Sequence, residues 1–362
     1  MNFTSQQLLR AMSPIDMVIC KFIEEEKANL SSSNGDDNVD VWSTQSQGRF
    51  ATLIASISEN SPDLIQEDVD VDWGSIIFLP SEKYVQKVVK RYTTHLDLVG
   101  SELEDNLASL VCHFSMSRIS NIPDPTESCI LTYPVPLGGK VHSQKKEDLL
   151  RIRAYPHHND VGVAKVWEAG ACLAEYILHN PGCVQRRNVI ELGAGVGLTS
   201  LVAAAAGAES VHMTDYTQAT LNNLQYNASI NSRWLEVRGV DSAIVSVGKL
   251  EWGEFDNDCH CLNYADMLIA GDVVYARECI PDLVDTVIKF LSSGSRVNNS
   301  KVALFATTHR NRSTFQLFET ELEKKGIICK HIISHDTMYI FPCYFNQPRS
   351  DVRLCTMALM SK

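Results

Sequence analysis

Three short stretches carry side chains whose types and spacing could do chemistry. The first is Val189-Ile-Glu-Leu-Gly-Ala-Gly-Val-Gly-Leu198, an apolar run that ends in three alternating glycines, Gly193, Gly195 and Gly197, with Glu191 just ahead of them. Glycines so placed permit a tight turn and let a ligand approach the backbone closely. The pattern is G-x-G-x-G. It is not the G-x-G-x-x-G of a dinucleotide fold, and without a following Gly-Lys-Ser/Thr it is not a phosphate loop. The second stretch is Val211-His-Met-Thr-Asp-Tyr216, where Asp215 closes the next apolar run and offers two acceptor oxygens and no donor. The third is Ile269-Ala-Gly-Asp-Val-Val-Tyr275, which places an acid, Asp272, three residues before Tyr275.

The elements around these stretches alternate. Apolar runs at Val189–Leu192, Val211–Thr214, Leu235–Val240, Met267–Ala270, Val302–Ala306, Ile328–Ile333 and Val352–Met357 predict strands. Helical spacing predicts helices over Leu198–Ala206, Gln218–Ile230, Ile280–Leu291 and Arg312–Lys325. Alternating β and α segments imply a mostly parallel sheet with helices on both faces. In such a sheet a ligand binds at the carboxyl ends of the strands, so the useful residues should follow strands 1, 2 and 4.

The glycine loop with its leading acid and with Asp215 resembles the signature of class I S-adenosylmethionine-dependent methyltransferases. Val166-Trp-Glu-Ala-Gly170 ahead of the loop, Leu250-Glu-Trp252 and the D-x-x-Y of Asp272 to Tyr275 are similar to elements of the seven-β-strand protein-lysine methyltransferases. The flanking segments Leu79 to Phe114 and Thr308 to Leu322 resemble the branch that acts on elongation factor 2. The resemblance covers about residues 76–362, with Glu251 in place of the usual aspartate and Gly271 where alanine is common.

That likeness implies an α/β fold with a Rossmann-like seven-stranded sheet and S-adenosyl-L-methionine as cofactor. Trp167, Gly193, Ala194, Gly195, Asp215, Trp252 and Gly271 would line the cofactor site, Asp215 accepting from both ribose hydroxyls. Glu191 would reach the amino end of the cofactor indirectly or through water. Asp272 would orient the incoming amine, and Tyr275 would shape its slot. Enzymes that methylate amide or base nitrogens carry N/D-P-P-Y at this place; its absence disfavours DNA, RNA or glutamine as acceptor. The resemblance points to a lysine of elongation factor 2. Another protein (lysine or histidine), a small molecule, or a non-catalytic adaptor role stay open as alternatives.

The rest of the chain sets limits. Of its 362 residues 44% are hydrophobic, enough for a sizeable core, and the formal net charge is −12. A protein that holds nucleic acid by its phosphates is usually basic, so no nucleic-acid partner is expected and a basic protein surface fits better. The eleven cysteines form no CxxC, and the Cys259-His260-Cys261 cluster is too tight for four zinc ligands, so reduced thiols and no metal are expected. The amino terminus does not read as a signal peptide and no apolar run spans a bilayer, so a cytoplasmic monomer without membrane contact is expected.

Residues 1–120 read as a mainly helical extension to a methyltransferase domain over 121–362. Helices are predicted within 5–28, the second opened by Pro14, from Ser81 as a cap, and from about Ser101. Ser31 to Gln47 reads as a mobile loop, with disorder near 31–48, inside an acidic stretch of nine acids and one base, Arg49, from Ser31 to Ser75. Ile130 to His142 reads as a β-hairpin turning at Gly138-Gly139.

Overall fold

The computed structural model describes residues 4–34, 40–57, 79–116, 122–136, 149–255, 260–293, 301–332, 340–341 and 351–360. The chain divides into two compact units, Met1–Tyr133 with Tyr155–His157, and Pro134–Ala154 with His158–Lys362. The second unit begins at Pro134. Among the described residues no helix is long and apolar enough to cross a membrane.

The first unit is built from α1 (Ser5–Arg10), α2 (Ile15–Asn34), α3 (Thr44–Ala55), α4 (Glu82–Val99) and α5 (Asp105–Met116). The loop expected over 31–47 is helical at both ends, since α2 runs through Asn34 and α3 starts at Thr44. Residues 35–39 and 58–75 of the acidic stretch lie outside the described residues. The order at Arg49 has a physical cause. Its guanidinium grips the buried Glu26 carboxylate through three contacts of 2.5 to 2.9 Å. Phe50, one residue on, stacks on Tyr92 with ring centroids 3.8 Å apart, and Phe22 meets both rings edge-on. Ser81 does hold the N-cap position of α4, but it makes no cap hydrogen bond; its hydroxyl donates to Glu127 instead. The strand expected at Ile130 is present as β1 (Cys129–Pro134), while the Gly138-Gly139 turn lies outside the described residues.

The second unit opens with β2 (Leu149–Ala154), α6 (Val161–Ala164) and α7 (Glu168–His179). There follow β3 (Asn188–Leu192), α8 (Leu198–Ala205), β4 (Ser210–Asp215), α9 (Gln218–Ile230), α10 (Ser232–Glu236) and β5 (Val245–Lys249). The remaining elements are α11 (His260–Tyr264), β6 (Met267–Gly271), α12 (Ile280–Ser292), β7 (Val302–Thr308), α13 (Arg312–Lys324), β8 (Ile327–Ile332) and β9 (Val352–Leu359).

Seven strands form one sheet in the order β5-β4-β3-β6-β7-β9-β8. The strands from β5 to β7 pair parallel, and β9 runs antiparallel to both β7 and β8. The chain order reverses between β3 and β6, which opens the crevice for a ligand at their carboxyl ends. The glycine loop leaves β3, Asp215 ends β4, and Asp272 follows β6, so the sheet brings all three stretches to one edge. One expected strand is corrected. Leu235–Val240 is the end of α10 and a turn, with Trp234 and Leu235 buried; the third parallel strand is β5, ten residues later than the start expected for it.

An asparagine ladder anchors β2. Asn227 and Asn231 are four apart, so they project from one face of α9 and its cap. Asn231 accepts from the Arg151 amide (2.9 Å) and donates to the Arg151 carbonyl (2.6 Å); Asn227 does the same for Arg153 (2.8 and 3.1 Å). Side-chain amides thereby satisfy backbone groups along one edge of β2.

Candidate active site

The glycine loop is folded as the alternation requires. Gly193, Gly195 and Gly197 all have positive φ, +59°, +55° and +83°, a region a side chain enters only at a cost. A β-carbon on Gly193 would stand 2.9 Å from Val273 Cγ1 and 3.4 Å from the Trp252 ring. Between them these contacts place the loop, the start of the D-x-x-Y segment and Trp252 side by side. Trp252 is held there because the Leu250 amide donates to the Asp215 carbonyl (2.9 Å). Ala194 is buried, and its amide donates to the Thr214 carbonyl (2.9 Å).

Asp215 accepts from the Gly195 amide (3.2 Å) and the Tyr216 amide (2.8 Å), one bond per oxygen. A carboxylate has about four acceptor sites, so acceptor capacity remains on each oxygen. Burial pushes its pKa up, against the pull of those two amides. Glu191 lies deeper, 2% exposed, with its carboxyl accepting from the Ser200 hydroxyl of α8 (2.5 Å). It ties the end of β3 to α8.

Burial pushes the Glu191 carboxyl up to about 8 from an ordinary 4.5. Between those values the folded protein holds a proton that the unfolded chain has lost, so stability falls as pH rises through this window. Glu191→Gln keeps an acceptor for Ser200 and removes the titration. Relative to wild type, the variant should gain roughly 1.4 kcal/mol per pH unit in urea unfolding between about pH 5 and about pH 8. A pH-independent difference would show that Glu191 does not titrate there.

Trp167 caps the start of α7, half-buried, with its indole N–H donating to the Val161 carbonyl (3.1 Å). The Lys165 ammonium lies 3.9 Å and the Arg310 guanidinium carbon 5.0 Å from the ring centroid. Gly271 lies at the end of β6 against Gly170 of α7.

Asp272 is placed differently from the sequence reading, in which its carboxylate meets the incoming amine. Its side chain is only 5% exposed. The carboxylate accepts from the Thr308 amide and hydroxyl (both 2.9 Å), from the Ala169 amide (3.3 Å) and from both terminal nitrogens of Arg310 (3.3 and 3.2 Å). Those five contacts fill its acceptor sites and fasten α7 to the end of β7. Tyr275, by contrast, is exposed. Partial desolvation of its ring, then the neighbouring Tyr216, Cys279, Asp215 and Asp160, push its phenol pKa up.

Sequence reasoning passed over three residues of this region. Asp160 caps α6 through the Gly162 amide (2.9 Å) and accepts from the hydroxyls of Thr217 and Thr220, so it ties α6 to the start of α9 beside the glycine loop. Its only sequence signal is Asp160-Val-Gly162 shortly before Trp167. Arg310 and Glu168 sit within quoted motifs, but their pairing at 3.0 Å spans 142 residues.

Residues 144–324, half of the chain, match a family described as lysine methyltransferase. The chain belongs to that family. Its sheet and glycine loop are those of the class I S-adenosylmethionine-dependent methyltransferases, and it is a protein-lysine methyltransferase. It is similar to "Protein-lysine N-methyltransferase EEF2KMT" of Mus musculus, 29% identical over 73% of this chain and 75% of that one. The human protein of the same name is 29% identical over 68% and 72% of the two chains. "Protein N-terminal and lysine N-methyltransferase EFM7" of Cryptococcus neoformans is 29% identical over 54% and 64%. The family implies S-adenosylmethionine as methyl donor, and the residues present fit it. The loop has no β-carbons at Gly193 and Gly195 to fill its cradle, and Asp215 keeps free acceptor sites at the end of β4.

Proposed function

We propose that this methyltransferase modifies a lysine of elongation factor 2 in the cytoplasm. Two flanking segments, Leu79 to Phe114 and Thr308 to Leu322, support the choice of substrate, as do the names of the relatives. The observation that carries the lysine reading is the acidic, aromatic surround of the D-x-x-Y segment. Tyr216 and Tyr275 stand exposed there beside Asp215 and Asp160, a setting that attracts a cation.

When bound, S-adenosylmethionine supplies a methyl group on a sulfonium that needs no further activation. The chain therefore has to align and desolvate the nucleophile. Gly193, Ala194 and Gly195 would give the backbone floor, Asp215 would hold the ribose hydroxyls, and Trp252, beside the loop, would take the adenine end. Trp167 and Tyr275 wall the acceptor side. A lysine amine must shed its proton before it attacks, and a partly desolvated slot lowers its pKa from about 10.4. The proton leaves to water. Asp272 acts as a positioning residue that fixes Ala169, Thr308 and Arg310 around that slot.

The test is mass spectrometry of purified elongation factor 2 after incubation with the enzyme and S-adenosylmethionine, beside Asp215→Ala. A gain of methyl groups on one lysine, lost in the variant, is the expected result. Methylation at a protein amino terminus or on another protein in a cell extract would overturn the choice of substrate while leaving the enzyme class intact.

A further inference from the structure

Glu168, the first residue of α7, is 3% exposed, yet only half of its carboxylate is satisfied. Oε2 accepts from Arg310 at 3.0 Å; Oε1 is buried and has no hydrogen-bond partner among the described residues. A buried carboxylate oxygen without a donor is unfavourable and calls for an explanation. The same Arg310 guanidinium also serves Asp272, at 3.2 and 3.3 Å, so two buried carboxylates share one cation. Beside them the Trp167 ring already receives two cations, Lys165 and Arg310. The Lys165 ammonium lies over the ring and does not meet Glu168 Oε1. A compact cation with several donors would satisfy Glu168 Oε1 and could share Asp272 with the groups that already meet it. A lysine ammonium has three, where the planar guanidinium offers its donors only in a fixed fork.

We propose that Glu168 and Asp272, beside Trp167, form the seat of the substrate's lysine ammonium, and that Arg310 holds this seat until the substrate displaces it. The inference deepens the lysine reading of the same site and rests on it, but not on elongation factor 2 being the substrate. Arg310 is suited to the part because its side chain is 35% exposed and can swing into water. On displacement, Glu168 Oε1 gains the donor it lacks, and Asp272 exchanges guanidinium contacts for ammonium ones. Asp272 then meets the ammonium, though only once Arg310 has left, and the lysine still gives up its proton to water before the neutral amine attacks.

The test uses the full chain and n-butylammonium chloride as probe, with n-butanol as its neutral counterpart. The readout is the indole N–H resonance of Trp167, assigned by Trp167→Phe. The ammonium should give a saturable shift and the alcohol none, a comparison that needs no variant. Glu168→Gln should weaken ammonium binding about ten-fold or more, because a hydrogen bond to a charged group is lost. Arg310→Met should tighten it several-fold, a sign that a purely structural role for Arg310 would not produce. No saturable shift, an equal response to butanol, or unchanged affinity in Glu168→Gln would overturn the seat. Weaker binding in Arg310→Met would overturn the placeholder. A failure of elongation factor 2 to be methylated would leave all of these readouts unaffected.

Discussion

Asp272→Ala should lower stability as sharply as it lowers turnover. Asp272 has φ +58°, a left-handed conformation that an aspartate tolerates better than an alanine. Its carboxylate meets the Ala169 amide, the Thr308 amide and hydroxyl, and both terminal nitrogens of Arg310. Truncation strands two backbone donors and leaves Arg310 with Glu168 as its remaining carboxylate partner among the described residues. The carboxylate is buried but Arg310 is 35% exposed and can turn to water, so the loss comes mainly from the stranded amides, about 1–3 kcal/mol each. The measurement is urea unfolding of both proteins beside cofactor affinity and turnover. Asp272→Asn keeps the backbone tolerance and one acceptor oxygen, so it should fall between them. An alanine variant as stable as wild type but without turnover would show instead that the carboxylate serves the substrate alone.

This site was readable in the sequence as addresses rather than as contacts. Glu191, the glycines, Asp215 and Asp272 all lie in or just after central strands that are buried on both faces, and such strands announce themselves as continuous apolar runs. The edge strand β5 does not. It is half-buried along its length, and its Val245-Ser-Val-Gly-Lys249 alternates too briefly to outweigh the stronger apolar run at Leu235. That run buries Trp234 and Leu235 from a short helix, where spacing over so few residues cannot separate helix from strand. Helix α3 was hidden for a different reason. Its Ser- and Gln-rich opening reads as loop, and what orders it is long-range: Glu26 under Arg49 and Tyr92 under Phe50. The role of Asp272 was obscured in the same way. Its partners lie 103 residues before it and 36 to 38 residues after it, so a local motif gives its position and not its occupancy.

Two neighbouring glycines should respond to the same substitution with opposite signs. A β-carbon on Gly271 would stand 2.7 Å from Gly170 Cα and 3.0 Å from Gly170 N. Both atoms are backbone of α7, so no rotamer change relieves the clash; the helix itself must retreat from the end of β6. Overpacking of this kind costs about 1–3 kcal/mol. It also pulls on the Ala169–Asp272 bond (3.3 Å) and on Trp167 and Glu168 at the helix start. Gly271→Ala should therefore lose about 2–3 kcal/mol in urea unfolding and lose turnover with it. Gly170 lies on the other side of the same contact, but its own β-carbon would point elsewhere, meeting only Thr199 Oγ1 at an ordinary 3.6 Å. Within a helix alanine is favoured over glycine, so Gly170→Ala should be neutral or gain up to about 1 kcal/mol. If both variants lost stability equally, the close approach of α7 to β6 would not be what requires glycine at 271. Opposite signs would mean that the contact tolerates a methyl group from the helix and none from the strand, so that the absence of a side chain at Gly271 sets how near Trp167 and Glu168 come to Asp272.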